Sequence, residues 1–302
     1  MRPVVEVSVI IPCFNGGRFL DTLLASLASQ SFRDFEIIIV DDGSTDQATC
    51  AKLASLPHGI QVLRQSNRGL SAARNAGIRA AQGTFVLPLD CDDTLDPAFL
   101  AEVTAVLRQA PPESAFAFTH MRLAGGVDGI LSRQCNQFDQ LFLNQLPYCM
   151  LLPKIAWEMV DGYDETMRDG YEDWEFNIRL SEAGFAGIEI PRPLFIYHVR
   201  SDGMLSRSAR MHGTIWRRIR AKHAPLYRLP ALIARWQAAR LLPGKISALA
   251  AAGLLALSSV LPTAWFDAIF HYLLTASHRR RRAGPAQPMA SRPARSLSPG
   301  GQ

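Results

Sequence analysis

The chain has 302 residues, 48% of them hydrophobic, which suffices for one large domain or two small ones. Its five cysteines (Cys13, Cys50, Cys91, Cys135, Cys149) are scattered without a C-x-x-C pair, which argues against a disulfide framework or a zinc site and for a reducing compartment. Net charge is +5 but unevenly spread: residues 1–202 carry sixteen Lys and Arg against twenty-six Asp and Glu, whereas residues 203–302 carry sixteen against Asp267 alone. One sign over so long a stretch reads either as solvated surface or as a face for an anionic partner: lipid headgroups, nucleic acid or an acidic substrate.

The start, Met1-Arg2-Pro3 ahead of a strand-like run, lacks the charged and long apolar segments of a signal peptide, so a cytoplasmic location is expected. Val7–Ile11 reads as a strand ending at Pro12, and Phe19, Leu20, Leu23, Leu24 and Leu27 then recur at helical spacing. Phe35–Val40 is a second strand, apolar at nearly every position, as a parallel strand buried on both faces is. Ile60–Leu63 is a third, a helix is expected over Gly69–Ala81, and Phe85–Leu89 is a fourth strand. Strand alternating with helix predicts a doubly wound α/β sheet, with ligands at the carboxyl ends of its strands. Beyond residue 111 the alternation breaks. A strand over Phe116–Thr119, a turn-rich Gly125–Gly129, a helix from near Tyr171 and strands near Ile188 and Phe195 complete the expected body.

Three polar clusters follow predicted strands. Asp41-Asp42-Gly43-Ser44-Thr45-Asp46 reads as a turn with a helix cap, or as carboxylates placed to accept from a nucleobase N–H. Asn67 to Gly77 is rich in small residues. It reads as a helix packed close on the sheet, or as one whose N-terminus receives phosphate with Arg74 one turn in. Asp90-Cys91-Asp92-Asp93 reads as a capped turn, or as hard oxygen ligands for Mg²⁺ or Mn²⁺, because carboxylates so crowded repel one another unless a cation lies between them. A fourth cluster, Tyr171-Glu172-Asp173-Trp174-Glu175, opens a predicted helix.

In this order and spacing, the segments Ser8–Asn15, Val40–Asp46, Asn67–Ile78, Leu87–Asp93 and Gly162–Leu180 resemble the family-2 glycosyltransferases of the GT-A fold, over roughly residues 5–205. The resemblance implies a Rossmann-like mixed sheet flanked by helices. It implies inverting transfer of one sugar from a nucleotide-sugar, a UDP-sugar being expected, to a lipid-linked or cell-surface saccharide precursor. Pro12, Phe14 and Asp42 would then contact the nucleoside and Arg74 help to hold it. Asp92 would be the direct ligand of Mn²⁺ or Mg²⁺, with Asp90 nearer the ribose. Asp173 matches the family's base, with Glu172 as the alternative, and Trp174 reads as the floor of the acceptor site or as core. His198 or Arg200 would touch the diphosphate or metal. A catalytically silent membrane scaffold and a nucleotidyltransferase are the competing readings.

The boundaries expected are a catalytic domain over 1–205, a basic helical region over 206–278 and a disordered tail over 279–302. Arg207 to Arg240 carry nine Lys and Arg interleaved with Trp216, Tyr227 and Trp236, a mixture suited to lipid headgroups. The apolar run Ile246–Leu261 is cut short by Pro262 and reads best as half of an interfacial hairpin with Ala264–Ala276. Attachment to the anionic inner face of the cell membrane is therefore expected, without nucleic-acid binding, since no reading motif is present.

Overall fold

A computed structural model describes residues 5–111, 114–200, 208, 211–261, 265 and 269. The first sheet is built from β1 (Val7–Cys13), β2 (Phe35–Asp41), β3 (Ile60–Arg64), β4 (Phe85–Pro88) and β8 (Leu152–Pro153), ordered β3-β2-β1-β4-β8. All pairings are parallel except β4 with β8. β1 is buried along its whole length, which is why its sequence carries no polar face. Between these strands lie α1 (Leu20–Ala28), α2 (Gln47–Ala54) and α3 (Leu70–Ala80). A side chain at Gly77 would come within 2.4 Å of Ile10 Cγ2, so the small residues of α3 serve close packing on β1.

The second sheet orders β5 (Thr94–Leu95), β9 (Ala186–Val199), β6 (Ala115–Gly125) and β7 (Gly129–Leu131) as β5-β9-β6-β7. The two strands expected near Ile188 and Phe195 are one. β9 runs through Pro191 and Pro193 because its pairing with β6 shifts register between Thr119 and Met121. α4 (Phe99–Gln109), α5 (Lys154–Met159) and α6 (Glu172–Glu182) complete the sheet-bearing body.

Residues Met1–Ser259 form one compact unit and Val260–Gln302 a second. The first includes α7 (His212–Lys222), α8 (Leu229–Ala239) and most of α9 (Ala248–Val260). Here the expectation of a headgroup role for the aromatics is corrected for two of them. Trp216 and Tyr227 are buried, and both donate to the Leu141 carbonyl, at 3.3 and 2.7 Å. Burying a large ring with its polar tip satisfied outweighs leaving it wet. No helix among the described residues is long and apolar enough to cross a membrane. The expected second half of the hairpin and the tail over 279–302 fall almost wholly outside the described residues.

Candidate active site

A cleft of about 530 Å³ opens where β1, β2 and β4 end, closed from above by the start of α6 and the end of β9. Pro12, Phe14, Asp42, Arg74, Asp90, Asp92, Glu172, Asp173, His198 and Arg200 all line it. Trp174 does not. Its ring is fully buried and its Nε1 donates to the Gln140 carbonyl at 2.6 Å, so the acceptor-floor reading is corrected to a core role. The cause is helical phase: at the opening of α6 the side chains of Glu172 and Asp173 face the cleft, and the next one turns inward.

At the β2 end, Asp42 is buried and its carboxylate gathers the following loop. It accepts from Gln65 Nε2 at 2.7 Å, Arg68 N at 2.9 Å and Gly69 N at 2.8 Å. The amides just ahead of α3 are thus held from within by Asp42, while no side chain caps the first turn of the helix itself, and Gly69 and Leu70 line the cleft. Asp41 is also internal, accepting from Ser44 N and Arg64 Nε, both at 2.9 Å. Asn15, with φ 52°, accepts from Thr45 N at 2.8 Å and Asp46 N at 3.0 Å and so ties the ends of β1 and β2 together. Phe14 stands beside it, half exposed, offering a ring face to the cleft.

Arg74 is fully buried. It donates to Asp90 Oδ1 at 2.8 Å and to Glu172 Oε1 at 2.7 Å, with its guanidinium near the rings of Tyr148 (4.9 Å) and Tyr163 (5.4 Å). Burial opposes its charge, but Asp90 and Glu172 hold its pKa well above the ordinary value. A guanidinium fixed by two carboxylates sets the spacing between β4 and α6, and therefore the width of the cleft. Burial pushes the Glu172 carboxyl up to about 7 against the pull of Arg74.

Asp92 is raised by burial and then by the neighbouring Asp90, with Arg200 Nε 3.9 Å away. Asp93, also buried, is raised to about 6 by burial. It accepts from the Tyr148 hydroxyl and from His198 N at 2.7 Å, which pins the end of β9 over the acidic loop. The Asp93 carboxylate, 3.8 Å from Nδ1, raises the His198 imidazole. No group of three or more His, Cys, Asp and Glu side chains arranged to hold a metal occurs among the described residues. Asp173 is oriented by Asn144 Nδ2 at 3.1 Å and by the Trp174 amide at 2.8 Å. α6 starts after Tyr171, whose φ of 59° is a strained conformation for an aromatic residue and places Glu172 and Asp173 at the rim.

Residues 8–151 match the sequence profile described as Glycosyl transferase family 2. The chain therefore carries a glycosyl transferase family 2 domain over that segment. Among curated members it is similar to the glycosyltransferase GlyA of Streptococcus pneumoniae, 35% identical over 97 residues, an alignment covering 32% of this chain and 14% of GlyA. The aligned segments span 14% to 31% of the length of three such relatives. Solved structures of related fold include S. aureus TarS in complex with UDP-GlcNAc, at 22% identity, TM-score 0.57, covering 67% of this chain and 60% of that one. A mannosyltransferase from Pyrobaculum calidifontis in complex with GDP-Man and Mn²⁺ is 18% identical, with TM-score 0.53 over 94% of this chain and 89% of its own. These likenesses show the GT-A type fold.

Within this family-2 cleft, sequence reasoning missed Tyr148 and Asn144. They come from the stretch between residues 131 and 152, which has neither periodicity nor a motif, yet Tyr148 bridges Asp90 N (3.1 Å) and Asp93, and Asn144 holds Asp173. A buried Tyr and a lone Asn give no sequence signal of their partners. The one available clue was that Asp93 needed a donor.

Proposed function

We propose that this protein transfers one sugar from a nucleotide-sugar, UDP being the expected nucleotide, to a hydroxyl of a lipid-linked or saccharide precursor, with inversion at the anomeric carbon. The observation that carries the reading is the cleft itself. It brings Phe14 and Asp42, the Asp90 and Asp92 carboxylates and the oriented Asp173 to one volume, although they lie up to 159 positions apart in the sequence. The related structures with UDP-GlcNAc and with GDP-Man and Mn²⁺ support a nucleotide-sugar donor.

The nucleoside lies against Phe14 and Pro12, with Asp42 accepting from the base and its loop held rigid by its own bonds. Asp92 and Asp90 suit a hard divalent cation: Asp92, raised by burial and by the neighbouring Asp90, would be relieved by Mg²⁺ or Mn²⁺, which commonly takes one or two protein carboxylates and completes its shell with phosphates. A cation held by Asp92 and Asp90 would supply charge neutralisation for the departing nucleoside diphosphate. Arg200 and His198 add positive charge on the same side. Asp173 takes the proton from the acceptor hydroxyl as its oxygen bonds to the anomeric carbon and the bond to the diphosphate oxygen breaks. With a single base and direct displacement, the anomeric centre inverts. Glu172, joined to Arg74, positions the start of α6 and is the less suitable base because its oxygen is already engaged.

Attachment at the inner membrane face is part of the same proposal. Leu241 (88% exposed) follows the exposed Arg240, Leu249 is 85% exposed, and basic residues near anionic lipid add about 1 kcal/mol each. The test of the transfer reaction is incubation of purified protein with UDP-, GDP- and dTDP-sugars, with Mn²⁺ or with chelator. Metal-dependent release of one nucleotide is expected. No turnover together with no nucleotide binding would leave the silent scaffold instead.

A further inference from the structure

Two of the five cysteines meet in the cleft. Cys13 ends β1, and Cys91 follows β4, the strand paired with β1; both line the cleft wall. Their sulfurs crowd one point. A side-chain carbon at Gly16 would lie 2.5 Å from Cys91 Sγ and 3.5 Å from Cys13 Sγ, so the two sulfurs share one small volume beside Gly16. Both are free thiols. The other three cysteines lie outside the cleft lining.

We infer that Cys13 and Cys91 form an oxidisable dithiol whose disulfide closes the donor site to nucleotide. The oxidant is a hydroperoxide small enough to enter the cleft. One sulfur takes an oxygen from hydrogen peroxide, releasing water and becoming a sulfenic acid; the second thiol then displaces that oxygen as a second water, forming the S–S bond. Two thiols lose two electrons and two protons, and one peroxide becomes two waters. A disulfide holds its Cβ atoms about 3.5–4.5 Å apart, so closing it fixes the loop after β4 against the tip of β1.

The consequences follow from what flanks each sulfur. Cys91 stands between Asp90 and Asp92, and any shift of its backbone moves both carboxylates and strains the Arg74 bond to Asp90. Cys13 lies between Pro12 and Phe14, and its carbonyl accepts from Asp42 N at 2.9 Å. The bond thus joins the two walls on which the proposed donor site is built, and its effect on binding rests on that reading. Reduction by a dithiol restores the open form.

The test uses the full-length protein, treated with hydrogen peroxide, alkylated and digested for mass spectrometry, with UDP affinity measured by calorimetry in parallel. A Cys13–Cys91 linked peptide two hydrogens lighter than the thiol pair is expected. UDP affinity should fall about tenfold or more and recover with dithiothreitol. Cys13→Ser and Cys91→Ser should each show no link, and peroxide should leave the UDP affinity of each variant where it stood before treatment. Over-oxidation of Cys91 without a link, links among other cysteines, or a link that leaves UDP affinity unchanged would each overturn the inference. If the untreated protein binds no nucleotide, the proposed donor site fails, while the mapped link still decides the dithiol.

Discussion

Glu172 and Glu175 lie less than one turn apart on α6, both buried, and their chemistry is opposite. Burial raises both carboxyls. At Glu172 it prevails, because Arg74, the cation it bonds, is shared with Asp90 and because Asp173 lies alongside; the carboxyl is pushed up to about 7. Glu175 is held down to about 2 against burial by His223 Nε2 (3.0 Å), by a two-pronged bond from Arg179 and by Lys222 Nζ (2.8 Å). What decides the sign is how many cations converge, not depth. The cleft end of the helix leaves Glu172 under-compensated, while its inner turn is a foundation that also fastens α7 to the body.

The comparison can be broken in graded ways. The largest expected effect is on Asp173→Asn, which should lose about a thousandfold in turnover while keeping its affinity for UDP, as removal of a general base does. Near-normal turnover would move the base to Glu172. Next is Glu175→Ala, which removes the acid shared by Arg179, Lys222 and His223. A loss of about 3 kcal/mol in urea unfolding is expected, in line with breaking a buried ion pair. An unchanged midpoint would remove the foundation role. Glu172→Gln should cost less, about tenfold in UDP affinity by loosening Arg74 and Asp90, with a smaller change in stability.

The two acids also predict opposite pH dependences. Glu175 is depressed when folded, so its contribution is present above its ordinary pKa of 4.5 and is lost as pH falls from there towards 2. Glu172 is raised when folded, so the folded state holds the proton longer and stability declines as pH rises from 4.5 to about 7. Urea midpoints across pH should therefore show Glu175→Gln flattening the acid limb and Glu172→Gln flattening the range above it. Parallel curves for wild type and both variants would refute the contrast. The smallest effect concerns the membrane. Arg240→Gln should weaken co-sedimentation with vesicles of mixed phosphatidylglycerol and phosphatidylcholine, its one charge amounting to about 1 kcal/mol. Equal binding to phosphatidylcholine alone would argue against an electrostatic contact.

Legibility followed the type of signal. The first four strands and their helices were readable because burial on both faces leaves continuous apolar runs, and the acidic clusters were readable because a carboxylate at a strand end is costly without a purpose. Trp174 was ambiguous because a Trp at helical spacing looks alike facing a cleft or a core, and only the buried bond from Nε1 to Gln140 separates the two. β9 was read as two strands because Pro191 and Pro193 interrupt the pattern, whereas the register shift against β6 absorbs them.

The sequence by itself determined the family, the alternating α/β order and which carboxylates stand at strand ends, because these depend on local pattern and on chemistry dense enough to show in one short segment. The tertiary structure alone decided what each charged group faces. It joined Arg74 to both Asp90 and Glu172, turned Asp42 on to the loop ahead of α3, brought Asn144 to Asp173 and set Cys13 beside Cys91. Those partnerships link residues 16 to 98 positions apart, and a pairing at such range depends on how strands and helices stack, which no window of sequence contains.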